Sequence, residues 1–288
     1  MTTAAPNATQ TLAAASARRE KQPPTLVRWW LNSWHPIVFL VVLVIAWWIA
    51  TESGAVAPYI LPSPADTWAA FADNATYLAQ HTWVTTYETI IGFVIAVVLG
   101  LLVAVIMVYS SGLEKTLYPV ILFAQVIPKI AIAPLFIVWL GFGVGPKILV
   151  AVLMAFFPVV ISGLSGLRSV DPEILQLTST MGAGRIKTFL KVRLPAALPE
   201  LLGGLKVAAT LAVTGAVVGE FVGANEGLGY VILQANGNLD TAMLFAALII
   251  MSLMGVLLFA VIQIAERFLI PWHASRRGSG SASVRTGA

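Results

Sequence analysis

Three ionisable side chains lie inside otherwise apolar runs of the sequence, at Glu88, Lys129 and Lys206. Such groups are costly in a membrane and commonly mark the path of an ion or a solute. Lys129, beside Pro128, is therefore a candidate for a translocation path, whereas Lys206 lies near the end of a span and is expected to reach the interface. No second deep carboxylate is expected near Glu88, so no proton relay is predicted.

Other reactive chemistry is sparse. His35, His81 and His273 have no neighbours at metal-ligand spacing, so no metal site is predicted. There is no cysteine, which excludes disulfides and thiolate catalysis. The glycine-rich stretches 143–147 and 182–188 lack the spacing of a phosphate-binding loop. We therefore predict no catalytic residue and no ATP site in the chain, so energy must come from an ion gradient or a partner subunit.

The composition indicates the elements that must position these groups. Hydrophobic residues make up 58% of the chain and charged residues 10%, far fewer charges than the roughly 25% of a soluble domain. The net charge of +4 does not indicate nucleic-acid binding, because the basic residues are concentrated in the tails and one central loop. The sequence predicts an all-α polytopic membrane protein in contact with the lipid bilayer.

Six apolar runs predict six transmembrane helices, within a membrane domain at 29–272 flanked by disordered tails at 1–28 and 273–288. Gly92 and Gly100 lie on nearly one face of the second span and should let another helix approach closely. Three prolines predict a kinked third span that packs inside protein. The predicted spans are about 36–51, 83–108, 116–140, 148–167, 201–218 and 241–264, and the three prolines are Pro119, Pro128 and Pro134.

Two polar connections and a short turn, 141–147, are predicted on one side of these spans. The first connection, 52–82, should contain a surface helix from Pro64 to about Ala79. The second, 220–240, is rich in glycine and should dip towards the membrane; it contributes Glu220 and Glu226 to the candidate path, together with Pro128, Lys129 and Pro134.

Basic residues set the expected orientation. With a cytoplasmic N terminus, 14 of the 17 lysines and arginines fall in cytoplasmic segments and only Lys147 falls outside. Both termini and the central loop are then cytoplasmic.

The central loop, 168–199, is the one long polar interruption with helical spacing. Asp171, Pro172 and Glu173 predict a helix start. A ridge of apolar residues follows, and Gly182 can supply the left-handed residue that ends this helix before a second short one, closed by Pro195 and Pro199. The ridge residues are Ile174, Leu177, Met181 and Ala183. On this pattern alone, a basic interfacial loop remains open as an interpretation.

The spacing from Gly182 through nine residues to Val192-Arg193-Leu194-Pro195 resembles a loop of the permease subunits of bacterial ATP-binding cassette importers, the binding-protein-dependent transport family. The segments 59–64, 126–143 and 219–232 are similar to the nitrate, sulfonate and taurine branch, so the resemblance spans about 37–272. The Glu-Ala-Ala that usually opens the loop is replaced here by Gln176-Leu177-Thr178.

This resemblance implies a bacterial inner-membrane subunit that works with a second copy of itself, two cytoplasmic ATPase subunits and an extracytoplasmic solute-binding protein. ATP and magnesium would bind to the ATPases. The loop would dock on the ATPase as coupling helices through its apolar ridge and Gly182, and Leu194 and Pro195 would tie it to the fifth span.

The resemblance leaves the solute open between a small nitrate-, sulfonate- or taurine-like anion and a pyrimidine-type vitamin precursor. The alternative function is a secondary transporter driven by an ion gradient. Such a carrier needs coupling-ion ligands near the bilayer midplane, and the sequence shows none.

Overall fold

The computed structural model describes residues 25–270, with side chains from Trp34 onward except Pro36. Within this range the chain is helical and contains no β-strand. Residues 1–24 and 271–288, which hold most of the two predicted tails and His273, lie outside the described residues.

The chain divides into two compact units, and the first ends at Pro64. Its helix α1, Thr25–Glu52, extends well before the apolar run at Ile37. The Trp47 indole donates a hydrogen bond of 2.9 Å to the Pro62 carbonyl, which fixes the end of this unit against its helix.

The second unit contains the remaining helices. Two long helices, α6 and α9, lie at its centre: 50% and 56% of their most apolar stretches are buried, against 28% for α3 and 22% for α11. The bounds are α2 Pro64–Asp73, α3 Ala75–Tyr109, α4 Ser111–Val126, α5 Lys129–Leu140, α6 Val144–Arg168, α7 Pro172–Thr180, α8 Arg185–Thr188, α9 Leu194–Gly223, α10 Leu228–Gly237 and α11 Thr241–Leu269.

The predicted close approach at Gly92 and Gly100 is confirmed. A Cβ atom at Gly92 would lie 2.6 Å from the Cβ of Ala151, and one at Gly100 would lie 2.7 Å from Val159 Cγ1. Both neighbours belong to α6, so these two glycines bring α3 directly against the central helix.

Helix α3 starts earlier than the sequence predicted. The surface helix ends at Asp73 instead of Ala79, and α3 begins at Ala75, before the predicted start at Trp83. The physical reason is packing: Leu78 is buried in a cluster with α10 and α11, so these polar first turns belong to the bundle.

The predicted third span is broken. Helices α4 and α5 meet at an angle of 96°, at Ile127 and Pro128. Ile127 is extended, with ψ 129°, as expected for a residue that precedes proline. The predicted kink is confirmed at Pro128, whereas Pro119 and Pro134 lie inside helices. The expected burial of this span is wrong within the single chain, because Phe123, Val126 and Val138 are exposed.

Within the described range, four helices are long and apolar enough to cross a membrane, or five if the bent pair forms one span. In α1 the apolar part, Ile37–Glu52, is shorter than that test requires and shorter than the about 20 residues of a typical span. The count of six spans is therefore not confirmed, although the all-helical, multi-span architecture is.

Candidate functional site

Helix α7 presents the predicted apolar ridge to the surroundings. Asp171 caps it by accepting a hydrogen bond of 3.0 Å from the Glu173 amide, and Pro172 occupies its first turn. The side chains of Ile174, Leu177 and Met181 are 47%, 60% and 77% exposed. No residue of α7 is buried, so this helix stands on the surface of the chain.

Gly182 ends α7 as the sequence predicted. Its φ is +72°, a conformation that costs other residues energy. The Gly182 amide donates to the Ser179 carbonyl and the Ala183 amide to the Thr178 carbonyl, each at 3.0 Å. These two bonds form a Schellman motif, which satisfies carbonyls that the helix end leaves free.

The predicted second short helix does not close at the prolines. Helix α8 continues through a π-helical segment, Phe189–Arg193, directly into α9. Pro195 lies in the first turn of α9, where the missing N–H group of a proline costs least. Pro199 lies farther inside the same helix. Ala183, Leu194 and Pro195 are half-buried. The loop thus consists of the exposed helix α7, followed by a helical segment that continues into α9.

Two arginines hold the base of this loop. The Arg193 guanidinium donates a hydrogen bond of 3.1 Å to the carbonyl of Leu167, near the end of α6. Arg168 forms an ion pair with Glu114 of α4. These contacts join the start and the end of the loop to each other and to the bent helix pair.

Lys129 lies at the break between α4 and α5. Its ammonium donates a hydrogen bond of 2.9 Å to the Gln125 carbonyl and lies 4.9 Å from the ring centroid of Phe157. A lysine here compensates a carbonyl in the last turn of α4. Pro128 and Pro134 are exposed beside it.

Lys147, which the charge pattern predicts outside the spans, lies inside helix α6, because this helix begins at Val144. The ammonium of Lys147 lies 2.6 Å from Glu88 Oε1, and the two side chains are only 8% and 0% exposed. Glu88 Oε2 and the Thr89 hydroxyl have no hydrogen-bond partner in the described chain. The two charges therefore form a buried pair between α3 and α6.

Glu220 is a second deep carboxylate, and the prediction that there is none near Glu88 is wrong. It is 1% exposed. Its Oε1 accepts a hydrogen bond of 2.7 Å from Thr85, and its Oε2 accepts one of 2.5 Å from the Gly229 amide. A carboxylate at the start of α10 also interacts favourably with the helix dipole.

Side chains from other helices accept hydrogen bonds from three N–H groups at the start of α10, those of Gly227, Leu228 and Gly229. Thr85 accepts from Leu228 at 2.7 Å, and His81 Nδ1 accepts from Gly227 at 2.9 Å. Gly227 has φ +109°, and a Cβ atom there would collide with the Glu220 carboxylate. Glu226, which the sequence paired with Glu220, is exposed at the edge of this cluster, where it lines a cleft with His81.

A family model decides what these features belong to. Residues 96–272 match the model of the binding-protein-dependent transport system inner membrane component. The chain belongs to this family. It is therefore the permease subunit of an ATP-binding cassette importer, a transport subunit and not an enzyme, and its place is in the inner membrane.

Individual permeases are similar over most of their length. The formylaminopyrimidine transport permease protein ThiX of Halalkalibacterium halodurans is 37% identical over 240 residues, covering 83% of this chain and 96% of ThiX. The putative aliphatic sulfonates transport permease protein SsuC of Bacillus subtilis is 30% identical over 239 residues, covering 82% and 87%.

The fold is similar to that of a chain in an inward-facing structure of the MetNI methionine ABC transporter. The TM-score is 0.61 at 21% sequence identity, covering 67% of this chain and 95% of the other. The permease architecture is thus shared beyond recognisable sequence similarity.

The sequence contained signals for the buried cluster of this permease. Pro146 marks the first turn of α6, because proline is tolerated there, and this would have placed Lys147 inside the helix. Glu220 precedes a Gly-Leu-Gly turn by seven residues, a spacing that allows a carboxylate to reach back to free amides. No group of three or more metal-ligating side chains occurs in the part of the chain that the structure describes.

Replacing Glu220 with alanine is expected to loosen α10. Without the acceptor, the Gly229 amide and the Thr85 hydroxyl lose a charge-assisted partner, at a cost of about 2 kcal/mol. Backbone amides of 228–237 should then exchange with solvent roughly thirtyfold faster, measured by hydrogen–deuterium exchange in nanodiscs. Glu226→Ala is the matched control, because this carboxylate is exposed. Equal exchange in the two variants would show that Glu220 does not hold α10.

Proposed function

We propose that this permease works as a homodimer with two cytoplasmic ATPase subunits, which bind ATP and magnesium, and with an extracytoplasmic solute-binding protein. ATP-driven closure of the ATPase pair moves α7 of each copy. Because α8 runs without interruption into α9, this movement reaches the spans and exchanges inward-facing for outward-facing access. Linkage requires that solute-loaded binding protein favour ATPase closure to the same extent.

The exposed ridge of Ile174, Leu177 and Met181 carries this proposal. An apolar face on a short, otherwise polar helix favours burial in a partner's groove, the usual mode by which an amphipathic helix is recognised. Burying one such side chain fully contributes about 1.5–3 kcal/mol. The sequence Gln176-Leu177-Thr178 leaves this ridge, and not an opening carboxylate, as the docking feature.

A cytoplasmic position for the loop follows from charge. Four basic residues lie between α7 and α9, which favours the cytoplasmic side. Lys147 is the one exception to this bias, and its charge is neutralised by Glu88 inside the bundle. Both described ends of the chain then lie on the cytoplasmic side if six spans cross the membrane.

The broken pair α4–α5 supports a translocation path at Pro128, Lys129 and Pro134. Interrupted helices near the middle of a membrane supply backbone groups to transported solutes in many carriers. The exposed apolar side chains of this pair are available to a second copy. Glu220 and Glu226 belong to the outer end of the proposed path, where Glu220 holds α10 and Glu226 faces solvent.

The proposed solute is a pyrimidine-type vitamin precursor, because ThiX, named for formylaminopyrimidine, is 37% identical over nearly its whole length. A sulfonate-like anion is the second candidate. SsuC, named for aliphatic sulfonates, is 30% identical, and Lys129 places a positive charge at the break.

Transport driven by an ion gradient is disfavoured by how the deep carboxylates are used. Glu88 is paired with Lys147 at 2.6 Å. Both oxygens of Glu220 accept hydrogen bonds that hold α10 in place. Two carboxylates are present, contrary to the sequence analysis, but each has a structural partner.

The test is reconstitution of the tagged permease in vesicles with its ATPase and binding protein. Wild type should take up solute only when ATP and both partners are present. Leu177→Glu and Met181→Glu should each reduce ATPase retention on the purified permease at least about tenfold, because each places a charge in the docking groove. Uptake should fall in parallel.

Ser179→Glu is the matched control, since Ser179 is exposed on the opposite face of the same helix. It should retain the ATPase and transport. Uptake by the permease alone under an ion gradient would refute the proposal, and so would normal ATPase retention by both ridge variants.

A further inference from the structure

An open cleft of about 770 Å³ lies beside the first turns of α3, between them and the segment that leads into α10. This volume is within the range of small-molecule sites. The lining combines aromatic rings with amides and one carboxylate, chiefly Tyr77, Gln80, His81, Glu226, Tyr230 and Gln234. Its position, next to the cluster that holds α10, places it at the outer end of the proposed path.

Three of the rings form a continuous aromatic wall. The ring centroids of Tyr77 and His81 are 4.3 Å apart in an edge-to-face arrangement, and those of His81 and Tyr230 are 5.8 Å apart. His81 is fixed by the Gly227 amide, which donates to Nδ1 at 2.9 Å. His81 is only 8% exposed, so it holds the two half-buried tyrosines in place, and a flat ring would stack on one of these.

The polar groups of the cleft are also oriented. Because His81 Nδ1 accepts a hydrogen bond, the neutral ring carries its proton on Nε2. The Tyr77 hydroxyl donates to Gln234 Oε1 at 3.1 Å, which leaves the Gln234 amide hydrogens free to donate. Glu226 adds an exposed carboxylate, and no lysine or arginine lines this cleft.

We infer that this cleft binds a planar nitrogen heterocycle bearing an amino or imide N–H, as the outer station of the solute path. This inference rests on the proposed function and narrows its solute class. The ring would stack against the aromatic wall, its N–H groups would donate to Glu226, and a ring nitrogen would accept from the Gln234 amide. A sulfonate would meet a like charge and no cation.

The experiment uses the absence of cysteine from the chain. Gln80→Cys places one thiol in the cleft, and Ala79→Cys, exposed on the neighbouring position outside it, is the matched control. The permease–ATPase complex in vesicles is labelled with a membrane-impermeant maleimide from the outer side. The probes are 4-amino-2-methylpyrimidine and ethanesulfonate.

The pyrimidine should slow labelling of Gln80→Cys about tenfold at about ten times its dissociation constant, and it should leave Ala79→Cys unchanged. Ethanesulfonate should protect neither. Glu226→Gln in the Gln80→Cys background should weaken pyrimidine protection about tenfold, because a charge-assisted hydrogen bond is lost.

Three results would overturn the inference: equal protection by ethanesulfonate, protection only by the binding protein, or a thiol at position 80 that fails to react while that at 79 reacts. Binding-protein-stimulated ATP hydrolysis and ATP-dependent uptake are measured in the same vesicles. If both are normal and the pyrimidine does not protect, only the cleft inference fails. If neither stimulated ATP hydrolysis nor ATP-dependent uptake is seen, the proposed function fails. Protection of the thiol by the pyrimidine still tests the cleft inference.

Discussion

Replacing Lys147 with methionine should lower the free energy of unfolding of this permease by about 3–5 kcal/mol, because it leaves the buried charge of Glu88 without its partner. The two side chains are 8% and 0% exposed, and the charged atoms are 2.6 Å apart. The second oxygen of Glu88 already lacks a hydrogen-bond partner in the described chain.

The double variant Glu88→Gln, Lys147→Met should recover most of this loss, because removing both charges removes the cost of burying either. Unfolding by SDS in mixed micelles measures all four corners of the cycle, and the expected coupling energy is about 2–3 kcal/mol. Lys129→Met is the control, since that ammonium bonds only a backbone carbonyl and a ring face; its cost should be about 1 kcal/mol. Additive losses in the double variant would contradict a coupled pair.

The exposed helix of the central loop could be predicted because its determinants are local. Asp171 and Pro172 set the start of α7, and Gly182 ends it within a single turn. Each acts on backbone groups no more than five residues away. The close packing of α3 on α6 was predictable for a similar reason, since small residues eight apart fall on one helical face.

The pairings within the buried cluster could not be predicted, because the partners are distant in sequence. Lys147 and Glu88 are 59 positions apart, and Glu220 and Thr85 are 135 apart. Hydropathy places a lysine after glycines in a turn, and a glutamate before glycines in a polar connection. Only the packing of three helices shows that each buried charge has a partner, which offsets the free-energy cost of burying it.

The predicted helix boundaries are wrong where tertiary packing outweighs the local sequence signals. The polar first turns of α3 are helical because Leu78 and His81 contact α10. Pro195 and Pro199 do not end a helix, because the π-helical segment before them lets α8 pass into α9 without a break. This continuity leaves residues 181–184 as the break between α7 and the span, and Gly182 is the residue of this break with a left-handed backbone.

Gly182→Val is therefore expected to uncouple ATP hydrolysis from transport. At φ +72° a β-branched side chain costs about 2 kcal/mol, which lowers the population of the native break roughly thirtyfold. The ridge on α7 remains, so the ATPase should still dock and hydrolyse ATP. Its movement would no longer reach α9 at a fixed angle, and solute taken up per ATP hydrolysed should fall about ten- to thirtyfold.

Gly184→Val provides the matched control for this effect. Gly184 lies two residues farther on with φ −65°, which valine adopts without strain, and a Cβ atom at either glycine would meet nothing within 4 Å. Both variants should insert and purify like wild type, so the difference between them isolates the left-handed backbone. The ratio of uptake to hydrolysis in vesicles is the measurement. An unchanged ratio for Gly182→Val, or an equal loss in both variants, would show that this break does not transmit the movement of α7.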